Sequence, residues 1–176
     1  MKIARRIALG LALVIVAVVA VAYALPSHYR VARSIDIDAP ASKVYPLVAN
    51  VRAWKSWSVW NRRDPNMEIV YAGPESGAGA QWKWKSKSEG SGEMTLTDAE
   101  PDRRLDYTLY FPDMDAHARG TITFDATSPT STRVTWTNVG DLGYNPMMRW
   151  MGLAMDRMVG DDFAAGLANL KVLATR

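Results

Sequence analysis

The sequence predicts an α+β fold: a curved antiparallel seven-stranded sheet wrapped around a long C-terminal helix, preceded by an N-terminal transmembrane helix. Three observations carry that prediction. Residues 145–173 repeat their apolar side chains at helical spacing. Residues 67–139 break into six strand-like runs joined by short turns, with a further strand near residue 30. Residues 7–25 contain no charged side chain.

The C-terminal pattern is the clearest. Asn145-Pro146 is a helix start: the Asn side chain accepts from free N–H groups, and Pro at the first helical position sacrifices no bond. Met148, Met151, Met155, Val159, Phe163, Leu167 and Leu170 then recur every three or four residues and form one stripe. Arg149, Asp156, Arg157, Asp162, Asn169 and Lys171 fall mostly elsewhere. Such a face requires a partner surface, and any ligand belongs between the two. Met147, Met148, Met151, Met155 and Met158 give the start of this helix an adaptable surface, suited to core packing or to lining a cavity.

At the other end, Ile7 to Leu25 is 19 uncharged residues, roughly 28 Å at helical rise and close to the hydrocarbon thickness of a bilayer. Tyr23 sits near its outer end, where aromatic rings favour the interface. Lys2, Arg5 and Arg6 precede it, which by the positive-inside tendency keeps the N-terminus cytoplasmic and puts the following domain on the periplasmic side. The expectation is a retained single-pass anchor over residues 1–25, a linker over 26–29 and one domain over 30–176. Ala22-Tyr23-Ala24 also reads as a cleavage site, so a removed signal peptide is the rival reading.

Within the domain, Tyr29, Val31, Ile35 and Ile37 alternate with Arg30, Ser34, Asp36 and Asp38, a half-buried strand. Ala39-Pro40 opens a helical segment running to about Asn50, with Val44, Leu47 and Val48 on its apolar side. Pro46 removes a backbone bond and crowds the preceding turn, so that helix is kinked or of mixed geometry. A second short helix, Val51 to about Trp57, leads into Trp54, Trp57 and Trp60, which plug the core, line a cavity mouth, or both. The strand runs are 67–72, 80–86, 93–98, 104–111, 116–125 and 132–139; the links between them are rich in Gly, Pro, Asp and Ser, which makes the sheet an antiparallel meander.

Alternation assigns the faces. Trp82 and Trp84, Met94 and Leu96, Leu105 to Phe111 at every second position, Ile122 and Phe124, and Val134, Trp136 and Asn138 share one side. The other side is rich in threonine and charge. His117 alternates with Ala116 and Ala118 and so falls outside, as do Glu93 and Asp106. Asn138 is the single polar side chain this parity puts inside, placed to orient a ligand carbonyl or hydroxyl.

Composition excludes several functions. Cysteine is absent and only two histidines exist, which rules out disulfides and thiol nucleophiles and argues against a metal site. Lys2, Arg5 and Arg6 account for three of 21 basic residues, leaving 18 against 18 acidic, so the net charge of +3 belongs to the N-terminal tail and no nucleic-acid surface is expected. Gly73 to Gly79 joins two strands and has no helix N-terminus behind it to hold a phosphate. Lys83, Lys85 and Lys87 form a solvated outer row. No nucleophile-elbow motif is present, and with His117 outside no serine triad assembles.

Four stretches resemble a known family: Arg33-Ser34-Ile35-Asp36-Ile37-Asp38-Ala39-Pro40 with Val44; Trp54-Lys55-Ser56-Trp57-Ser58-Val59-Trp60; Thr132-Arg133-Val134-Thr135-Trp136; and residues 162–171. With the order strand, two short helices, six strands and long helix, they resemble the START-like (SRPBCC) superfamily, the polyketide cyclase/dehydrase and pollen-allergen-like helix-grip fold, and within it the membrane-anchored bacterial branch. The resemblance implies a cavity between sheet and helix that takes lipids, sterols, quinones, polyketides or hormones; some members are cyclases or dehydratases, and no catalytic set is shared. The expected function is a membrane-tethered domain that binds a hydrophobic small molecule or lipid, with no cofactor, metal or catalytic residue. The expected lining is Trp57, Trp60, Trp84, Tyr107, Trp136, Asn138, Met151 and Met155. A cyclase-like enzyme and a partner-binding module with a filled core are the alternatives.

Overall fold

The computed structural model of the chain describes residues 2–176. Helix α1 (Lys2–Ala24) is followed by strand β1 (His28–Ile37) and three short helices, α2 (Ala41–Ala49), α3 (Trp54–Trp57) and α4 (Val59–Arg63). Strands β2 (Glu68–Ala72), β3 (Gln81–Ser86), β4 (Gly90–Glu100), β5 (Arg104–Phe111), β6 (Ala116–Ser128) and β7 (Ser131–Asp141) come next, and α5 (Pro146–Ala174) closes the chain. The seven strands form one sheet in the order β1-β7-β6-β5-β4-β3-β2. All pairs are antiparallel, so β2 to β7 make the expected meander and β1 closes it by pairing with β7 from His28↔Asp141 to Ile37↔Thr132.

Three local expectations are refined. β4 starts earlier than its turn-like composition suggests: Ser91 and Gly92 pair with Lys85 and Trp84, and the turn itself is confined to residues 87–89. Glycine there serves strand packing rather than reversal. The tryptophan segment is two helices, because Ser58 adopts an extended ψ of 135° between them. Pro46 sits inside α2, which nevertheless continues to Ala49 and is closed by the Asn50 N–H donating to the Pro46 carbonyl at 3.1 Å.

The apolar face of the sheet meets α5, as the alternation requires. Phe163 lies flat on Trp136, ring centroids 3.9 Å apart and 5° between planes. Beyond that stack Leu167, Leu170 and Ala174 are buried, whereas before it Met148, Met151, Met155 and Val159 are only half-buried. Trp54 and Trp57 anchor the short helices beneath α5. Their indole N–H groups donate to the carbonyls of Val48 at 2.7 Å and Leu47 at 3.0 Å, satisfying the end of α2.

Two arginines tie α5 at its sides. Arg33 shares the inward parity of Val31 and Ile35 on β1. Its guanidinium donates to the Asp156 carboxylate at 2.9 Å and to the Asp156 carbonyl at 2.8 Å, and it lies over Gly160, where a Cβ would collide with it. The same hydrogen bond holds the Asp156 carboxyl below the usual carboxylate range. Arg149, 9% exposed, donates to the carbonyls of Tyr23 at 3.1 Å, Leu25 at 3.3 Å and Gly143 at 2.9 Å. The Trp150 indole N–H reaches the Val18 carbonyl at 3.3 Å. The end of α1 is therefore fixed to the start of α5 rather than joined by a free tether.

Because Phe163 is the point where helix and sheet interlock, Phe163→Ala is expected to cost about 3–5 kcal/mol. Urea unfolding followed by tryptophan fluorescence measures it; a cost near zero would show that the stack does not hold the helix.

Candidate functional site

A cavity of about 410 Å³ lies between the inner face of the sheet and the first half of α5. That size suits a small organic ligand. Of the expected lining, Trp60, Trp84, Tyr107, Trp136, Asn138, Met151 and Met155 border it. Trp57 stands apart. It is fully buried behind Trp136, ring centroids 5.4 Å apart, and is pinned there by its bond to Leu47. The break at Ser58 separates the two rings: Trp57 ends α3 inside the solid core, and Trp60 in α4 reaches the cavity edge of Trp136 and Phe163.

The helix side of the cavity is soft. Met148, Met151, Met155 and Met158 supply most of it, and a thioether chain adapts its shape at small cost. The sheet side is stiff, for a reason that lies one strand away. Trp84, Tyr107 and Tyr29 each lie across a glycine on the paired strand: Gly92, Gly120 and Gly140. A Cβ at any of the three would overlap the ring above it. The rings lie flat on bare backbone, and the space above them is the cavity.

One part of the wall is polar. Tyr107, 1% exposed, receives the Trp136 indole N–H at 2.7 Å. Asn138 lies 3.4 Å from the same oxygen through Nδ2 and 2.9 Å from the Tyr29 hydroxyl through Oδ1. Burial pushes the Tyr107 phenol well above its ordinary range, and it does the same to Tyr29, so this pole is uncharged.

A second polar group stands at the rim. Glu89, in the turn between β3 and β4, borders the cavity and lies 3.6 Å from Arg63 of α4. Arg63 also forms a two-pronged pair with Asp162 of α5, which pushes the guanidinium further above its ordinary value. This cluster ties a turn and two helices together. Tyr29 and the Arg63, Glu89 and Asp162 group are absent from the sequence-derived site. Tyr29 carried a signal, its inward parity on β1. The ion cluster carried none, since each member alone reads as a solvated charge.

His117 is exposed and its ring stacks on Tyr110 with centroids 4.6 Å apart, on the outer side, although its position on β6 also borders the cavity edge. Glu93 pairs with Lys83 at 2.6 Å, and Asp106 with Arg104 and Thr121, all on the outer side. Among the described residues no group of three or more His, Asp and Glu side chains is arranged to hold a metal ion. What the cavity offers chemically is apolar enclosure with one neutral hydrogen-bonding pole in its wall, and Glu89, His117 and Asp141 at its border.

Residues 28–175 match the family described as "Polyketide cyclase / dehydrase and lipid transport". The chain belongs to this polyketide cyclase/dehydrase family. Solved structures similar to this family member include a protein from Mesorhizobium loti, 18% identical, covering 84% of this chain and 97% of that one with a TM-score of 0.58. Norcoclaurine synthase from Thalictrum flavum is 10% identical, covers 83% of this chain and 92% of that one, and has a TM-score of 0.63. A hypothetical protein from Helicobacter pylori is 10% identical, covers 82% and 87%, and has a TM-score of 0.64. At these identities the likeness concerns the fold. No curated protein sequence matches the chain. The observed sheet gripping a C-terminal helix is the START-like architecture that the resemblance implied.

A buried phenol whose folded pKa is raised contributes stability that is complete below the unfolded value, about 10, and is lost as pH rises from there toward the folded value. Stability measured by urea unfolding is therefore expected to fall above about pH 10, and to fall less steeply in Tyr107→Phe. Identical slopes in the two proteins would show that Tyr107 is not a buried neutral phenol.

Proposed function

We propose that the chain is a membrane-tethered domain that binds a hydrophobic small molecule or lipid between its sheet and α5. The observation that carries this reading is the cavity of about 410 Å³, walled by aromatic rings on one side and methionines on the other. The family description, which includes lipid transport, agrees with it. In this reading Trp60, Trp84, Tyr107, Trp136, Met151 and Met155 enclose the ligand and Asn138 with its neighbours orients it. Residues 1–25 are the anchor and residues 30–176 the binding domain.

Two features support the tether. α1 is long and apolar enough to cross a membrane. Its end is bound to the domain through Arg149, whose buried guanidinium would lose the carbonyl of Tyr23 if the segment were cleaved after Ala24. In this reading the junction brings the cavity close to the membrane. Trp150 reaches Val18, six residues before Ala24 and so about 9 Å back along the helix. Tyr144, Met147, Trp150 and Leu153 are exposed on this same corner. With α1 in a bilayer, the start of α5 sits at the depth of the outer lipid layer, and the methionine side of the cavity faces the membrane. Lys2, Arg5 and Arg6 then keep the N-terminus cytoplasmic and the domain on the periplasmic side.

Glu89 at the rim favours one second reading, a cyclase or dehydratase in which that carboxylate moves a proton. It predicts that the bound compound is recovered as substrate and product, isomers for a cyclisation or forms differing by one water for a dehydration, with a single form in Glu89→Gln.

Native mass spectrometry of the full chain, released from its own membranes in mild detergent, tests the binding reading. A stoichiometric apolar ligand is expected. An empty chain that takes up no added lipid or aromatic hydrophobe would overturn it. Alkaline phosphatase fused at the C-terminus tests the orientation: an active fusion is expected, and an inactive one with a bright cytoplasmic reporter at the same position would reverse it.

A further inference from the structure

The polar pole of the cavity leaves two of its protons without a partner. The Trp136 indole only donates, and it donates to the Tyr107 oxygen. Tyr29 O–H donates to Asn138 Oδ1, and Asn138 Nδ2 donates to Tyr107. Turning the Asn138 amide over reverses both of those bonds: Tyr107 then donates to Oδ1, and Nδ2 donates to Tyr29. The four side chains carry five N–H and O–H protons, and the three contacts use three of them. In either orientation one phenol O–H and one amide N–H are left over. Among the described residues nothing else accepts from these groups, and Tyr107 and Asn138 are 1% and 3% exposed.

We infer that Tyr107, Asn138 and Tyr29 form a donor site for the carbonyl oxygen of an uncharged apolar ligand: a ketone, quinone or ester. One carbonyl oxygen has two lone pairs and takes both spare protons. A carboxylate brings a charge, and no lysine or arginine borders the cavity among the described residues. The raised phenol of Tyr107 agrees, since it stays a donor across the physiological pH range. The ring seats on Gly120 and Gly140 fix both phenols in height, so the donors are held in place before a ligand arrives. The inference rests on the binding reading above and adds the chemical class.

The test uses the full chain in lipid nanodiscs with benzophenone and diphenylmethane, which share a two-ring skeleton and differ in the carbonyl. Benzophenone is expected to bind more than about tenfold tighter. Its carbonyl stretch, isolated by a carbon-13 isotope-difference infrared spectrum, is expected to lie below its position in empty nanodiscs. In Tyr107→Phe and in Asn138→Leu the ratio of the two affinities is expected to drop below about threefold. Should Tyr107→Phe fail to fold, because Trp136 loses its acceptor, the wild-type band position and Asn138→Leu still decide. Equal binding of the two compounds with an unshifted band overturns the donor site and leaves the binding reading standing. Binding of neither overturns both.

Discussion

The stack of Phe163 on Trp136 is the contact on which the other features depend. It is where the C-terminal helix sets a ring on the inner face of the sheet, beside its close approach to β1 at Arg33, and it divides the interior into two materials. On one side Leu167, Leu170 and Trp57 form a solid core, with Trp54 between it and the cavity. On the other the helix continues, half-buried, over open space walled by methionine and aromatic side chains. A close-packed interior does not tolerate such a gap unless something rigid borders it. Here the border is a pair of parallel rings, backed by Trp57 and by the short helices whose ends those tryptophans close. The solid half holds the fold, which leaves the other half free to be hollow.

Most of the architecture was legible because it is written in local periodicity. The parity of Leu105, Tyr107 and Leu109, of Ile122 and Phe124, and of Val134, Trp136 and Asn138 places each on the inner face, and the stripe from Met148 to Leu170 lies toward that face. Parity also carried the wall of the cavity. It could not distinguish Trp57 from Trp60, because that depends on a helix break at a serine whose sequence gives no such signal. It could not pair Tyr29 with Asn138, which lie 109 residues apart and meet only because β1 closes the meander. Arg33 was hidden for the opposite reason: its parity points inward, but a charge there looks like an exception until Gly160 and Asp156 are seen to receive it. Glycines 92, 120 and 140 looked like turns or weak points in strands. Their purpose appears only when the facing ring is known.

Arg149 belongs to the same class of hidden residue. On a helical projection it leaves the apolar stripe and reads as solvent-facing. In the structure its guanidinium gathers the last carbonyls of α1, where the helix dipole is negative and free acceptors remain. Arg149, with Trp150 on Val18, thus fixes the end of the first helix against the start of α5. A flexible linker would let the domain sample all orientations; this junction selects one.

The three glycines under Trp84, Tyr107 and Tyr29 have a consequence for how such a pocket changes over time. Its depth is governed from behind the wall, by residues that no ligand touches. Adding a methyl group at one of these positions forces the ring above it toward the helix and shortens the space locally; at Gly120 and Gly140 the atoms displaced include the Tyr107 and Tyr29 oxygens, so their bonds to Trp136 and Asn138 shift with the ring. The bare backbone beneath the rings therefore limits the depth of the cavity, and at Gly120 and Gly140 it also holds two hydrogen-bonding phenols at a fixed height.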